Sequence, residues 1–169
     1  MTEQTVQTKA DFLHHLTADR HALEDVIVGR SDEELTRPGP EGWSVKDHLA
    51  HLAAWERSGL ALLAGENRAA AVGVSDELFN EADEDVSNEE VRKRDADRPL
   101  ADVLAEFRQV RASTIAAVDA LTDDDLHKPY SFYQPTDPDN QTPVIQSLAG
   151  NSSEHDREHT EWIQEILTS

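Results

Sequence analysis

Apolar residues recur at spacings of three and four along four long stretches of the chain, and no stretch alternates with period two for long enough to suggest a sheet. The pattern predicts an all-α protein. The first helix is expected from about Thr8 to Val28, with Phe12, Leu13, Leu16, Leu23, Val26 and Ile27 as its buried stripe, and it ends before Gly29. The second opens on a start signal. Ser44 can accept from the free amides of the first turn, Asp47 can answer it three residues on, and Trp43 precedes the cap as a candidate hydrophobic staple. Val45, Leu49, Leu52, Trp55, Leu60 and Leu63 carry its stripe as far as Gly65.

From Glu66 to Arg98 the pattern is less regular. AAAVGV gives way to the acidic run DELFNEADEDVSNEE, which reads as a loop plus a short helix. Pro99 suits the first turn of the third long helix, whose Leu100, Val103, Leu104, Phe107, Val110, Ile115, Val118 and Leu121 can face a core. The polar stretch KPYSFYQPTDPDNQTP reads as a loop that borders a site, because it also carries Tyr130, Phe132 and Tyr133. The last helix is expected from near Pro143 to about Leu167. Four helices of roughly 20 residues, each about 30 Å long, predict a four-helix bundle as a single domain over residues 1–169, with a short extra helix between the second and third. The segments SDEELTRP (31–38) and TDDDLHKP (122–129) resemble each other, as two helical hairpins related by a pseudo-twofold would require; any short capped turn has the same form.

Charge narrows the function classes. The chain has 35 Asp plus Glu against 15 Lys plus Arg, a formal net charge of −20, which argues against a protein that neutralises phosphates; neither nucleic acid nor an anionic membrane is an expected partner. Only Lys9, Lys46, Lys93 and Lys128 are lysines, and the remaining cations are arginine, a skew that fits a salt-adapted source and a GC-rich genome equally well. There is no cysteine, which excludes disulfides, thiolate metal sites and a thiol nucleophile from the protein itself, so any metal must be held by His, Asp or Glu. The segment MTEQTVQTKADF has no basic stretch followed by an apolar run, and no segment approaches the roughly 20 apolar residues of a membrane span; a cytoplasmic location is expected.

The eight histidines carry the chemistry. His155 and His159 are four apart and stand one turn above the other on one face of the last helix. With Val144 at the zero of a helical wheel, Leu148 lies at about 40°, His155 at about 20°, His159 at about 60°, Trp162 at about 0° and Ile166 at about 40°. Both imidazoles therefore fall within the stripe that faces the core. Two inward neutral imidazoles at this spacing form half of a divalent-metal site, whereas two unpartnered polar rings in a core would be costly. On the second helix the wheel places His48 deeper than His51. His14 and His21 fall on the polar face of the first helix, His127 lies in a turn, and His15 lies at the edge of the apolar arc, packed rather than functional.

GWSVKDHLAHLAAWE (42–56) with NSSEHDREHTEWI (151–163) resembles the DinB/YfiT-like superfamily of four-helix-bundle, metal-dependent enzymes. TKADFL, the WSVKDHLAHLAAWER block and RPLADVLAEF look most like its ClbS/DfsB-type branch. The resemblance implies a divalent metal held by the histidine that ends the W-S-V-x-D-x-L-x-H pattern, His51, together with His155 and His159. That assigns His48 to the wall of the site, where it orients a ligand or reaches the substrate. The resemblance also implies a homodimer. Characterised members include enzymes that use a low-molecular-weight thiol.

Three imidazoles leave coordination positions open for water or a thiol, as a catalytic site requires. The expected function is a metal-dependent transferase or hydrolase acting on a small electrophilic metabolite or toxin. Zn²⁺ is the first expectation, with Ni²⁺, Fe²⁺ and Mn²⁺ as alternatives. His48 and Glu158 are the candidate catalytic helpers, with Asn151 one turn before His155. The rival expectations are a non-catalytic bundle that sequesters a hydrophobic small molecule and a dimeric interaction protein. The negative surface would attract a divalent cation and favour a neutral or cationic substrate.

Overall fold

The computed structural model describes residues 6–81 and 83–169. Helix α1 (Lys9–Ile27) begins where the side chain of Thr8 accepts from the Asp11 amide at 3.1 Å. After α2 (Asp32–Thr36), helix α3 (Val45–Ala64) opens on the expected capping box: Ser44 Oγ accepts from the Asp47 amide, and an Asp47 carboxylate oxygen accepts from the Ser44 amide at 2.8 Å. Gly65, at φ 68°, ends α3 in the left-handed conformation that costs glycine little.

The acidic region holds more structure than a loop and one helix. It folds as α4 (Arg68–Val72), α5 (Asp76–Glu81) and α6 (Glu84–Asp95), and α6 lies along α3, where Val91 packs with Ala54 and Val72. Helix α7 (Leu100–Asp119) is followed by α8 (Asp123–His127), the single turn α9 (Tyr130–Tyr133), α10 (Val144–Gly150) and α11 (Ser153–Thr168). Among the described residues there is no β-strand, only an isolated bridge between Pro129 and Pro143. No helix among them is long and apolar enough to cross a membrane.

The expected last helix is two. The chain departs from helical geometry at Asn151 and Ser152 (Ser152 φ −139°, ψ −91°), and the side chains there take over carbonyls of the preceding turn. Asn151 Nδ2 donates to the Ser147 carbonyl and Ser152 Oγ to the Leu148 carbonyl, each at 2.6 Å. Counted within α11 alone, His159, Ile163 and Ile166 form the inward line, and His155 and Trp162 fall together on its flank. That explains why Trp162, which a continuous wheel puts on the core stripe, is 48% exposed.

The long helices pack α3 against α7 and α11, and α1 against α7 and α11. Their apolar residues form two clusters, one around Leu23, Leu49, Phe107 and Ile163, the other around Phe12, Leu62, Leu126 and Ile145. The two similar segments, α2 and α8, each carry a complete capping box and each bury one leucine, Leu35 in the first cluster and Leu126 in the second.

Between the clusters lie four buried charges that the stripe pattern does not announce. Arg20 Nε meets Asp156 Oδ2 and Arg20 Nη2 meets Glu56 Oε2, each at 2.8 Å. Arg111 Nε meets Glu56 Oε1 at 2.7 Å and Arg111 Nη2 meets Asp156 Oδ2 at 2.9 Å. The remaining guanidinium donors bond the carbonyls of Phe107 and Leu16, and the Arg20 guanidinium sits 3.6 Å from the centroid of the Phe107 ring. Two cations and two anions cancel, so the layer joins four helices without leaving an unpaired buried charge.

Candidate metal centre

α3 and α11 bring four histidines together. His51 Nε2 lies 3.0 Å from His155 Nε2, and one ligand atom from each of His51, His155 and His159 falls within 4.8 Å of the others. His159 stands one turn beyond His155 on α11, and its ring stacks on that of His51 at 4.8 Å. His48 does not join this trio. It backs it, with Nδ1 at 2.8 Å from His159 Nδ1.

The capping chemistry of α3 reaches into the site. Trp43 precedes the cap, as a staple residue does, and its partner at the fourth helical position is His48, at a ring separation of 5.1 Å. Trp43 also meets His51 edge-on at 5.6 Å, and Trp162 closes on His159 at 4.6 Å. The start of α3 is thus fixed by contacts that also hold two of the imidazoles.

Burial keeps all four rings neutral. Removal from water pushes His48 and His155 down to about 4, and it pushes His51 and His159 down further, with neighbouring histidines adding to the effect. A neutral imidazole offers the lone pair that a divalent ion requires, and the cluster includes two orphaned atoms: among the described residues, His51 Nδ1 and His155 Nδ1 are buried without a hydrogen-bond partner. Three nitrogen donors with no thiolate suit a borderline ion, so the residues present fit a metal.

The cluster forms part of the wall of a cleft of about 1080 Å³. Trp43, Trp55 and Trp162 line it, with Tyr130 and Asn140 from the proline-rich stretch that was expected to border a site. Glu158 also lines it, as an exposed residue on the side wall, and Asn151 stands at the break before α11. Trp55 Nε1 donates to Asn88 Oδ1 at 3.1 Å, which fixes α6 as a wall that the pattern did not foresee. The other histidines stay apart: His14, His21 and His127 are exposed, and half-buried His15 pairs with Asp19 at 3.5 Å.

Sequence reasoning also missed what stands beside the cluster. Asp156 follows His155 directly, and the carboxylate of Glu56 favours the charged form of His155 against the effect of burial. A signal existed. Arg20 lies four residues after Leu16 and three before Leu23, and Glu56 four after Leu52, so each occupies a core-facing position of its helix.

The sequence profile of the DinB superfamily matches residues 15–163. No curated protein shows significant similarity to the chain. Among solved structures, the colibactin self-resistance protein ClbS, in complex with a dsDNA, superposes with a TM-score of 0.77 at 13% identity, covering 95% of this chain and 96% of that one. An uncharacterised protein from Escherichia coli UTI89 gives a TM-score of 0.76 at 15% identity, covering 99% and 96%. A protein from Streptococcus pneumoniae gives 0.71 at 14%, covering 95% and 91%. At these identities the structural likeness is one of fold, and it agrees with the sequence match. The chain belongs to the DinB superfamily.

Proposed function

We propose that the protein is a metal-dependent transferase or hydrolase that acts on a small electrophilic molecule in the cleft, with His51, His155 and His159 as the metal ligands. The observation that carries this reading is the convergence of three neutral imidazoles, with His51 Nε2 and His155 Nε2 3.0 Å apart, on a cleft large enough for a metabolite. A divalent ion held there, Zn²⁺ first and Ni²⁺, Fe²⁺ or Mn²⁺ as alternatives, supplies Lewis acidity and lowers the pKa of a water or of a low-molecular-weight thiol. His48, bonded to His159, orients that ligand. In this reading Glu158, which lines the cleft, takes up or returns a proton at the bound molecule. Trp43, Trp55 and Trp162 supply the apolar faces that exclude water from the bound molecule.

Duplex DNA, which accompanies ClbS in its complex, does not belong to this reading. A chain of net charge −20 meets phosphate with repulsion. The rival reading, a metal-free bundle that sequesters a hydrophobic molecule, shares the cleft but not the need for histidine.

Metal analysis of protein purified without a histidine tag, before and after reconstitution, separates the two. About one ion per chain is expected, with His51→Ala and His159→Ala each abolishing tight binding. If neither the native nor the reconstituted protein retains near-stoichiometric metal, the enzyme reading is wrong and sequestration takes its place.

A further inference from the structure

Arginine in this protein almost always meets a carboxylate. Of the eleven arginines, nine lie within 4.0 Å of an Asp or Glu oxygen. Among the described residues the two exceptions are Arg37, which is exposed, and Arg68, which is half-buried and lines the cleft. Glu41, Glu84, Asp85, Glu89, Glu158 and Glu165 line the same cleft, and among the described residues Arg68 is the one Lys or Arg in its wall.

The guanidinium is held in place by neutral groups. Its Nε donates to Ser58 Oγ at 2.9 Å and to the Ser58 carbonyl at 3.3 Å, and Nη1 donates to the Tyr130 hydroxyl at 3.0 Å. Its carbon lies 5.3 Å from the centroid of Phe79 and 5.6 Å from that of Tyr130, within cation–π range of both. Nη2 has no acceptor among the described residues. The result is a fixed planar donor with one corner open, bonded to uncharged groups, in the wall of the cleft.

We propose that Arg68 seats an anionic oxygen group, a carboxylate, sulfonate or phosphate, on the molecule that occupies the cleft. A planar guanidinium held in advance binds such a group with charge-assisted hydrogen bonds at little further entropic cost. The acidic wall defines the rest of the molecule. A small free anion is repelled at the mouth, so the anionic group must arrive on a body that the tryptophan faces retain. The charge count alone expects a neutral or cationic ligand; Arg68 sets one fixed positive position inside that negative field. The inference deepens the proposed function, since it concerns the same cleft, but it does not depend on the metal.

A matched pair of fluorescent probes tests it on the full chain: anilinonaphthalene sulfonate, and N-phenylnaphthylamine, which has the same ring body without the sulfonate. The native protein is expected to bind the sulfonate about tenfold more tightly than the neutral probe. Arg68→Met is expected to abolish or reverse that ratio and leave affinity for the neutral probe unchanged, and Arg68→Lys to restore it only in part. An unaltered ratio in Arg68→Met, or a native preference for the neutral probe, overturns the assignment. Equal weakening of both probes with a lowered melting temperature shows that Arg68 only ties α4 to α3 and α9, and also overturns it. A protein that takes up no metal yet prefers the sulfonate refutes the proposed function alone, and one that binds metal without the preference refutes this inference alone.

Discussion

Glu56→Gln tests whether the buried charges between the two apolar clusters act as a unit. The glutamate is 2% exposed and receives both guanidinia, Arg20 at 2.8 Å and Arg111 at 2.7 Å. Glutamine keeps the shape and one acceptor oxygen but leaves two cations facing Asp156 alone. Removing one partner from a buried ion pair costs about 3–5 kcal/mol, and the isosteric change belongs near the lower end, about 3 kcal/mol. For a chain of 169 residues the unfolding entropy is about 0.35 kcal/mol/K, so the melting temperature should fall by about 9 °C. Denaturant and thermal unfolding followed by far-ultraviolet circular dichroism measure both quantities. Glu24→Gln, which breaks the exposed Arg108–Glu24 pair at 3.0 Å, is the control and should cost less than about 1 kcal/mol. Adding Arg111→Gln to Glu56→Gln should recover part of the loss, because the layer regains charge balance. A Glu56→Gln penalty no larger than that of the control, or no recovery in the double variant, would refute the claim that the four charges are coupled.

Three further outcomes are expected. In the metal-free chain, His155 titrates near 4 when folded and near 6.5 when unfolded, so its contribution is complete above pH 6.5 and is lost as pH falls toward 4, at about 1.4 kcal/mol per pH unit; equal pH slopes in the native chain and in His155→Asn would contradict this. Ser44→Ala removes half of the α3 capping box and should cost about 1 kcal/mol in denaturant unfolding, whereas no change would mean that the Trp43 staple holds the helix start alone. At Gly59 an added methyl meets Leu148 at 3.6 Å and Asn151 at 3.8 Å, ordinary contact distances, so Gly59→Ala should raise stability by about 0.4–1 kcal/mol, and a loss would show that α3 and α10 tolerate no side chain there.

The long helices were legible because their start signals and stripes agree. Thr8, Ser44 and Pro99 stand at the observed starts, and Leu16, Leu49 and Phe107 are buried as their spacing requires. The break in the last helix was not, because a helical wheel assumes continuity. Gly150, Asn151 and Ser152 are the local sign of it, a glycine followed by two side chains that can bond the carbonyls of the turn before. The spacing of His155 and His159 survived because the pair lies wholly beyond the break. His48 and His51 defeated periodicity for a different reason: both are buried against α11, one behind His159 and the other facing His155, so depth on a wheel does not rank them. Arg68 has no motif at all. Its position becomes informative only when its neighbours in space are known.

The three tryptophans give the protein an optical property that follows from the site. Trp43 touches His48 and His51, Trp55 lies 6.2 Å from His51, and Trp162 meets His48 and His159, so every indole in the chain contacts the histidine cluster. Intrinsic fluorescence is therefore a local signal from the cleft rather than an average over the molecule. An unfolding curve recorded by emission follows the opening of α3 against α11, and its agreement with the dichroism curve is itself a measure of whether the bundle comes apart in one step.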